Sequence, residues 1–101
     1  MHNKKYIDVN GTPHLMPDGG TYPKDALAYI IGDMCFVLAS NDGDLFNVQD
    51  IYLNRNKKDL EKGGNFYTLK RCDKVCFDYY IMFLQTKNKT HLTLAQRSYS
   101  K

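Results

Sequence analysis

The chain contains no tryptophan, only three prolines and three cysteines in 101 residues, and no apolar run long enough to cross a bilayer. The last of these absences excludes a membrane-spanning helix. The cysteine count is odd, and Met1-His2-Asn3-Lys4-Lys5 leads into a polar strand and not into an apolar signal core. Reduced, structural thiols at Cys35, Cys72 and Cys76 and a cytoplasmic location are therefore expected. Charge of one sign is in little excess: 14 basic against 11 acidic residues give a net charge of +3. That permits contact with nucleic acid without arguing for it, since dedicated binders are more basic and more clustered.

Motifs of chemistry are missing as well. Gly19-Gly20 and Gly63-Gly64 have no Gly-Lys-Ser/Thr or GxGxxG context, which excludes a phosphate loop. Asn41-Asp42-Gly43-Asp44 carries its glycine too early for a calcium loop and has no glutamate at the twelfth position, so it reads as a turn. Cys72 and Cys76 are separated by three residues where zinc knuckles use two, and Cys35, His2, His14 and His91 do not complete a ligand set by spacing. No metal, no cofactor and no catalytic residue is assigned. There are no repeats and no low-complexity tracts.

What is present is the composition of one folded domain spanning residues 1–101, with 43% hydrophobic and 25% charged residues. Eleven lysines against three arginines, with frequent Asn and Tyr, suggest an AT-rich coding genome such as phages and mobile elements have. Lys5 to Met16 reads as a hairpin turning at Asn10-Gly11, with Pro13 placing the second strand at a sheet edge. Pro17-Asp18-Gly19-Gly20 is a turn. Thr21-Tyr22-Pro23 opens the main helix, in which Ala26, Leu27, Ile30, Ile31, Met34, Val37 and Leu38 form a stripe at helical spacing. The competing reading ends that helix at Gly32-Asp33, makes Met34 to Ala39 a buried strand and turns at Asp42-Gly43. Residues 47–62 carry a weaker, exposed helix that Gly63-Gly64 would end.

Lys74 to Gln85, dense in aromatic and β-branched residues, reads as a central strand. Asn65 to Arg71 and Thr90 to Arg97 read as its antiparallel neighbours, joined by turns at Cys72-Asp73-Lys74 and Lys87-Asn88. That register sets Phe83 against Leu92, Ile81 against Leu94, Asp78 against Arg97, Leu69 against Phe77 and Tyr67 against Tyr79. The expected fold is α+β: an antiparallel sheet, made of this C-terminal three-strand meander and the N-terminal hairpin, packed on one main helix.

One sheet face would form the core. The other carries the candidate binding residues Phe66, Lys70, Tyr80, Met82, Arg97 and Tyr99, with Arg55, Lys57, Lys58 and Lys74 at its margins. Interleaved aromatics and cations of this kind anchor protein partners or stack bases. A plainer reading has the N-terminal hairpin or the second helix cover the apolar members.

The order strand, two helices and meander, ending in Gln96-Arg97-Ser98-Tyr99, resembles the RelE/ParE-type toxins over about Thr21 to Tyr99. In the mRNA-cleaving members, basic residues and a late Tyr or His act at the scissile phosphate. The resemblance thus implies such a role for Lys70, Arg71, Arg97 and Tyr99. The chain departs from that family in its extra N-terminal hairpin, its weak second helix and its lower charge. The reading that emerges is a small non-catalytic binding protein of phage or mobile-element type, an inhibitor or adaptor of a host macromolecule acting by protein–protein contact or self-association. The alternative is an RNA-binding protein or a RelE/ParE-like, metal-independent ribonuclease.

Overall fold

The computed structural model describes residues 4–16, 20, 23, 26–48 and 67–100. Five antiparallel strands form one sheet: β1 (Lys4–Ile7), β2 (Pro13–Leu15), β3 (Ala28–Ile31), β4 (Met34–Ser40) and β5 (Tyr67–Cys72), in the spatial order β2-β1-β3-β4-β5. Two helices follow, α1 (Lys74–Thr86) and α2 (Lys89–Tyr99). The architecture is α+β, an antiparallel sheet packed against helix.

The N-terminal hairpin forms where the sequence places it, and β2 is an edge strand. Its loop is longer than a two-residue turn, because Ile7 faces Pro13 across the ladder. The Asp8 carboxylate organises the five residues between strand ends: Oδ1 accepts from the N–H of Asn10 (2.9 Å) and of Thr12 (3.0 Å), and Oδ2 lies 2.7 Å from His14 Nε2. The His14 ring stacks on Tyr6, centroids 4.8 Å apart. Gly11 adopts φ +79° and sits buried against α1.

The segment expected as the main helix is instead a second hairpin, β3–β4. Gly32 and Asp33 form its two-residue turn, with Ile31 opposite Met34 and Gly32 at φ +64°. Glycine supplies the positive φ such a turn needs at its first position. Both faces of these strands are largely covered, so their apolar residues run on continuously and mimic a helical stripe. The competing reading was correct for β4 and for the turn at Asp42-Gly43. There Gly43 N–H donates to Ser40 O, and Leu45 bridges back to Ala39.

The expected central strand is α1, and the expected last strand is α2. Asp73 caps α1, its Oδ1 accepting from Cys76 N–H at 2.8 Å. The buried residues Cys76, Phe77, Tyr80, Phe83 and Leu84 recur at helical spacing along one side. Lys87 ends the helix in the left-handed region (φ 59°), its N–H donating to Phe83 O. Asn88 then caps α2 by accepting from Thr90 N–H at 3.0 Å. Consequently the cross-strand pairs expected from a meander do not form. Asp78 lies 3.4 Å from Lys74 one helical turn back, and Arg97 stands exposed in the last turn of α2.

The helices form an antiparallel hairpin, since Ser98 near the end of α2 donates to Asp73 at the start of α1 (3.3 Å). Strand alternation places Ile7, Ala28, Ile30, Cys35, Val37 and Cys72 on the sheet face toward α1. Ile7, Ala28, Val37 and Ala39 pack there with Phe77, Tyr80, Phe83, Leu84 and Ala95 into one core.

Two outcomes test this frame. A Cβ built on Gly11 would lie 2.5 Å from Gln85 Cγ and 3.1 Å from the Ile81 carbonyl. With the positive φ added, Gly11→Ala should cost about 1–3 kcal/mol in urea denaturation. Burial pushes the Asp8 carboxyl up, but hydrogen bonds from His14, Thr12 and Asn10 together hold it below the ordinary aspartate value. Its stabilisation is therefore complete above about pH 4 and lost as pH falls through the lowered value. Asp8→Asn should flatten that acid limb of the stability–pH profile.

Candidate functional site

The six residues proposed for one binding face do not share one. Phe66 lies outside the described residues. Tyr80 is core: it is fully buried in α1 and its Oη donates to the Phe46 carbonyl at 2.5 Å. A strand reading turned Tyr80 outward, whereas a helix puts it four residues from Cys76 on the buried stripe. Lys70 lies half-buried on β5 opposite Val37, and Arg97 is exposed on α2. Met82 is exposed and Tyr99 half-buried, and they lie beside two different depressions.

Met82, 40% exposed on α1, lines a groove of about 430 Å³ between α1 and the sheet. Ile7, Pro13 and Ile30 form the sheet wall, and Phe77 and Ile81 the helix wall. Asp78 at the rim is the one charged lining residue among the described residues. The groove exists because Gly11 lets the hairpin tip touch α1 at Gln85, while β1 and β3 stay below the helix. Periodicity read as helix would have put Phe77, Ile81 and Met82 beside one another. The sheet wall needed the true strand order, which no local signal carries.

Tyr99 lines a second cleft, of about 360 Å³, with Arg71, Cys72, Asp73 and Ser98. Here the end of β5, the start of α1 and the end of α2 meet. Burial, with the Cys76 and Cys72 sulfurs nearby, pushes the Tyr99 phenol up. The N-terminus of α1 is already capped by the Asp73 carboxylate, which opposes an anion in that position. Two residues singled out from the sequence, Arg71 and Tyr99, do meet here. Arg97 and Lys70 line neither cavity.

Other side chains have plainly structural work. Gln96 ties α2 to the loop after β4: its Nε2 donates to Gly43 O (2.7 Å), and its Oε1 accepts from Leu45 N–H (2.8 Å). Lys87 Nζ donates to the carbonyls of Val9 and Leu84, joining the first hairpin to the helical corner. Burial pulls its ammonium below the ordinary lysine value, with Asp8 acting the other way. His91 is half-buried in the first turn of α2, its Nδ1 unpartnered among the described residues, so no group there orients it as a base. Among the described residues no group of His, Cys, Asp and Glu is placed to hold a metal, and no helix is long and apolar enough to cross a membrane.

Substitution separates core from surface. Tyr80→Phe should cost about 1–2 kcal/mol through the Phe46 carbonyl it leaves without its donor. Met82→Ala should stay within about 0.5 kcal/mol of the parent. Paired denaturant curves decide both. Comparison of the chain with protein-family models, with curated proteins and with solved structures finds no match.

Proposed function

We propose that this chain is a small non-catalytic binding protein, an inhibitor or adaptor, that holds an amphipathic helix of another protein in the groove between α1 and the first hairpin. The observation that supports the reading is the groove itself. It is open, of ligand-pocket size and apolar-walled, and one lip is a partly exposed methionine, a side chain that adapts to varied apolar partners.

The kind of occupant follows from the adjoining edge. Met16 N–H donates to Lys4 O and Asp8 N–H to Thr12 O, so residues 12, 14 and 16 point their backbone groups at β1. Residues 13 and 15 point theirs outward. Pro13 has no N–H, which leaves an incoming strand only the Leu15 donor. Strand addition is thereby disfavoured, and a helix engaging the groove through side chains fits better. An apolar stripe would meet Ile30, Ile81 and Met82, and a lysine or arginine at its border would meet Asp78. The existing Lys74–Asp78 contact is solvent-exposed and weak, so a partner's cation can replace it at little cost.

The test is selection of helical peptides from a displayed library, followed by methyl NMR of the bound chain. Bound peptides should shift the Ile30, Ile81 and Met82 methyl resonances. Met82→Glu should weaken them about tenfold or more, the loss of one interface anchor. Peptides whose footprint falls around Arg71 and Tyr99 would refute the groove. On a sizing column with light scattering, a dimer abolished by Met82→Glu would assign the groove to a second copy. A peak rich in 260 nm absorbance that collapses with salt would favour the nucleic-acid reading instead.

A further inference from the structure

All three cysteines meet at the corner where β5 passes into α1. Cys72 is the last residue of β5, Cys35 is its direct partner across the ladder on β4, and Cys76 stands in the first turn of α1. None is in a disulfide. The three differ in access: Cys76 is fully buried, while Cys72 is half-buried and lines the cleft beside Arg71 and Tyr99. They differ in partners too. The Cys72 and Cys76 thiols flank the capping residue Asp73 and lie close enough to act on each other, whereas Cys35 faces Cys72 from the neighbouring strand.

We propose that Cys72 and Cys76 form a reversible intrachain disulfide, in which Cys72 meets a low-molecular-weight disulfide in the cleft and buried Cys76 resolves the adduct. The Cys72 sulfur attacks one sulfur of the small disulfide, and the thiolate released takes up the Cys72 proton. The Cys76 sulfur then attacks that of Cys72, the bond to the small molecule breaks, and the second thiolate takes up the Cys76 proton. Two protein thiols are oxidised and one small disulfide is reduced to two thiols.

The surroundings suit these roles. Access assigns the order: Cys72 is reachable through the cleft, and because the adjoining Cys76 and burial push its thiol up, the exchange quickens as pH rises. Burial keeps outside reagents away from Cys76. A sulfur that outside reagents cannot reach attacks the neighbour's adduct instead. Burial pushes the Cys35 thiol up, with Lys74 acting the other way, and Cys35 does not line the cleft. The inference is independent of the groove, which shares no lining residue with the cleft.

Oxidised glutathione is the probe. The reduced full chain should lose two hydrogens by intact mass. After alkylation and trypsin, which cuts after Arg71 and Lys74, the peptide Cys72-Asp73-Lys74 should appear linked to the one that begins at Val75, with Cys35 alone alkylated. Cys76→Ser should instead accumulate a stable glutathione adduct on Cys72, and Cys35→Ser should behave as the parent. Should the buried Cys76→Ser change prevent folding, Cys72→Ser decides the matter, because it must take up no glutathione and form no disulfide. A Cys35–Cys72 link, a persistent adduct in the parent chain, or no change of mass would overturn the proposal.

Discussion

The structure depends on burying one stripe of α1. Cys76, Phe77, Tyr80, Phe83 and Leu84 present a large apolar surface along the helix, and the inner sheet face, α2 and the segment around Phe46 cover it. An isolated helix of 13 residues would be marginal in water, and this one is rich in β-branched and aromatic residues that favour helix poorly. Tertiary burial therefore decides its conformation. The same requirement sets the rest in place. The sheet must run far enough under the helix for Ile7 and Val37 to reach it, and the hairpin tip must come close enough that only glycine fits at position 11. Tyr80 shows how tightly the fit is specified, since its hydroxyl is satisfied by a backbone carbonyl 34 residues away.

Much of the segmentation was legible in the sequence, while the type of the two longest segments was not. Asn10-Gly11 and Pro13 gave the hairpin and its edge position from local chemistry. Lys87-Asn88 and Cys72-Asp73-Lys74 do interrupt the chain. In residues 74–86, composition favours strand and the spacing of buried residues favours helix. In residues 28–40 the same criteria conflict the other way: the spacing suits a helix and the β-branched and aromatic content a strand. Helix won the first and strand the second, so neither criterion alone sorts both. Punctuation does. Asp73 and Asn88 stand immediately before their segments with side chains able to cap, whereas Gly32 sits inside its segment at a conformation that interrupts a helix.

The candidate site was less legible for a related reason. A strand reading alternates residues between faces, so Tyr80 and Met82 were put together on the surface; helical geometry separates them by about 200°, leaving Met82 out and Tyr80 in. The likeness to RelE/ParE-type toxins rested on a terminal meander, and a helical hairpin stands there instead. Yet Arg71 and Tyr99 still meet, because α2 returns antiparallel to α1 and brings its end back to the strand that precedes α1. Residues near the two ends of a helical hairpin converge just as those of neighbouring strands do.

That return also explains why both cavities border α1 without merging. A single residue, Asp73, separates β5 from α1, and its carboxylate accepts from Cys76 at the start of one helix and Ser98 at the end of the other. The first turn of α1 is thus anchored to β5 and α2 and opens the cleft beside Tyr99. Farther along, the sheet-facing side of α1 meets the first hairpin, and the small Gly11 brings the tip in at Gln85 while the wall between Ile30 and Ile81 stays open. Thiol chemistry at the first place would act on the joint that aims the helix.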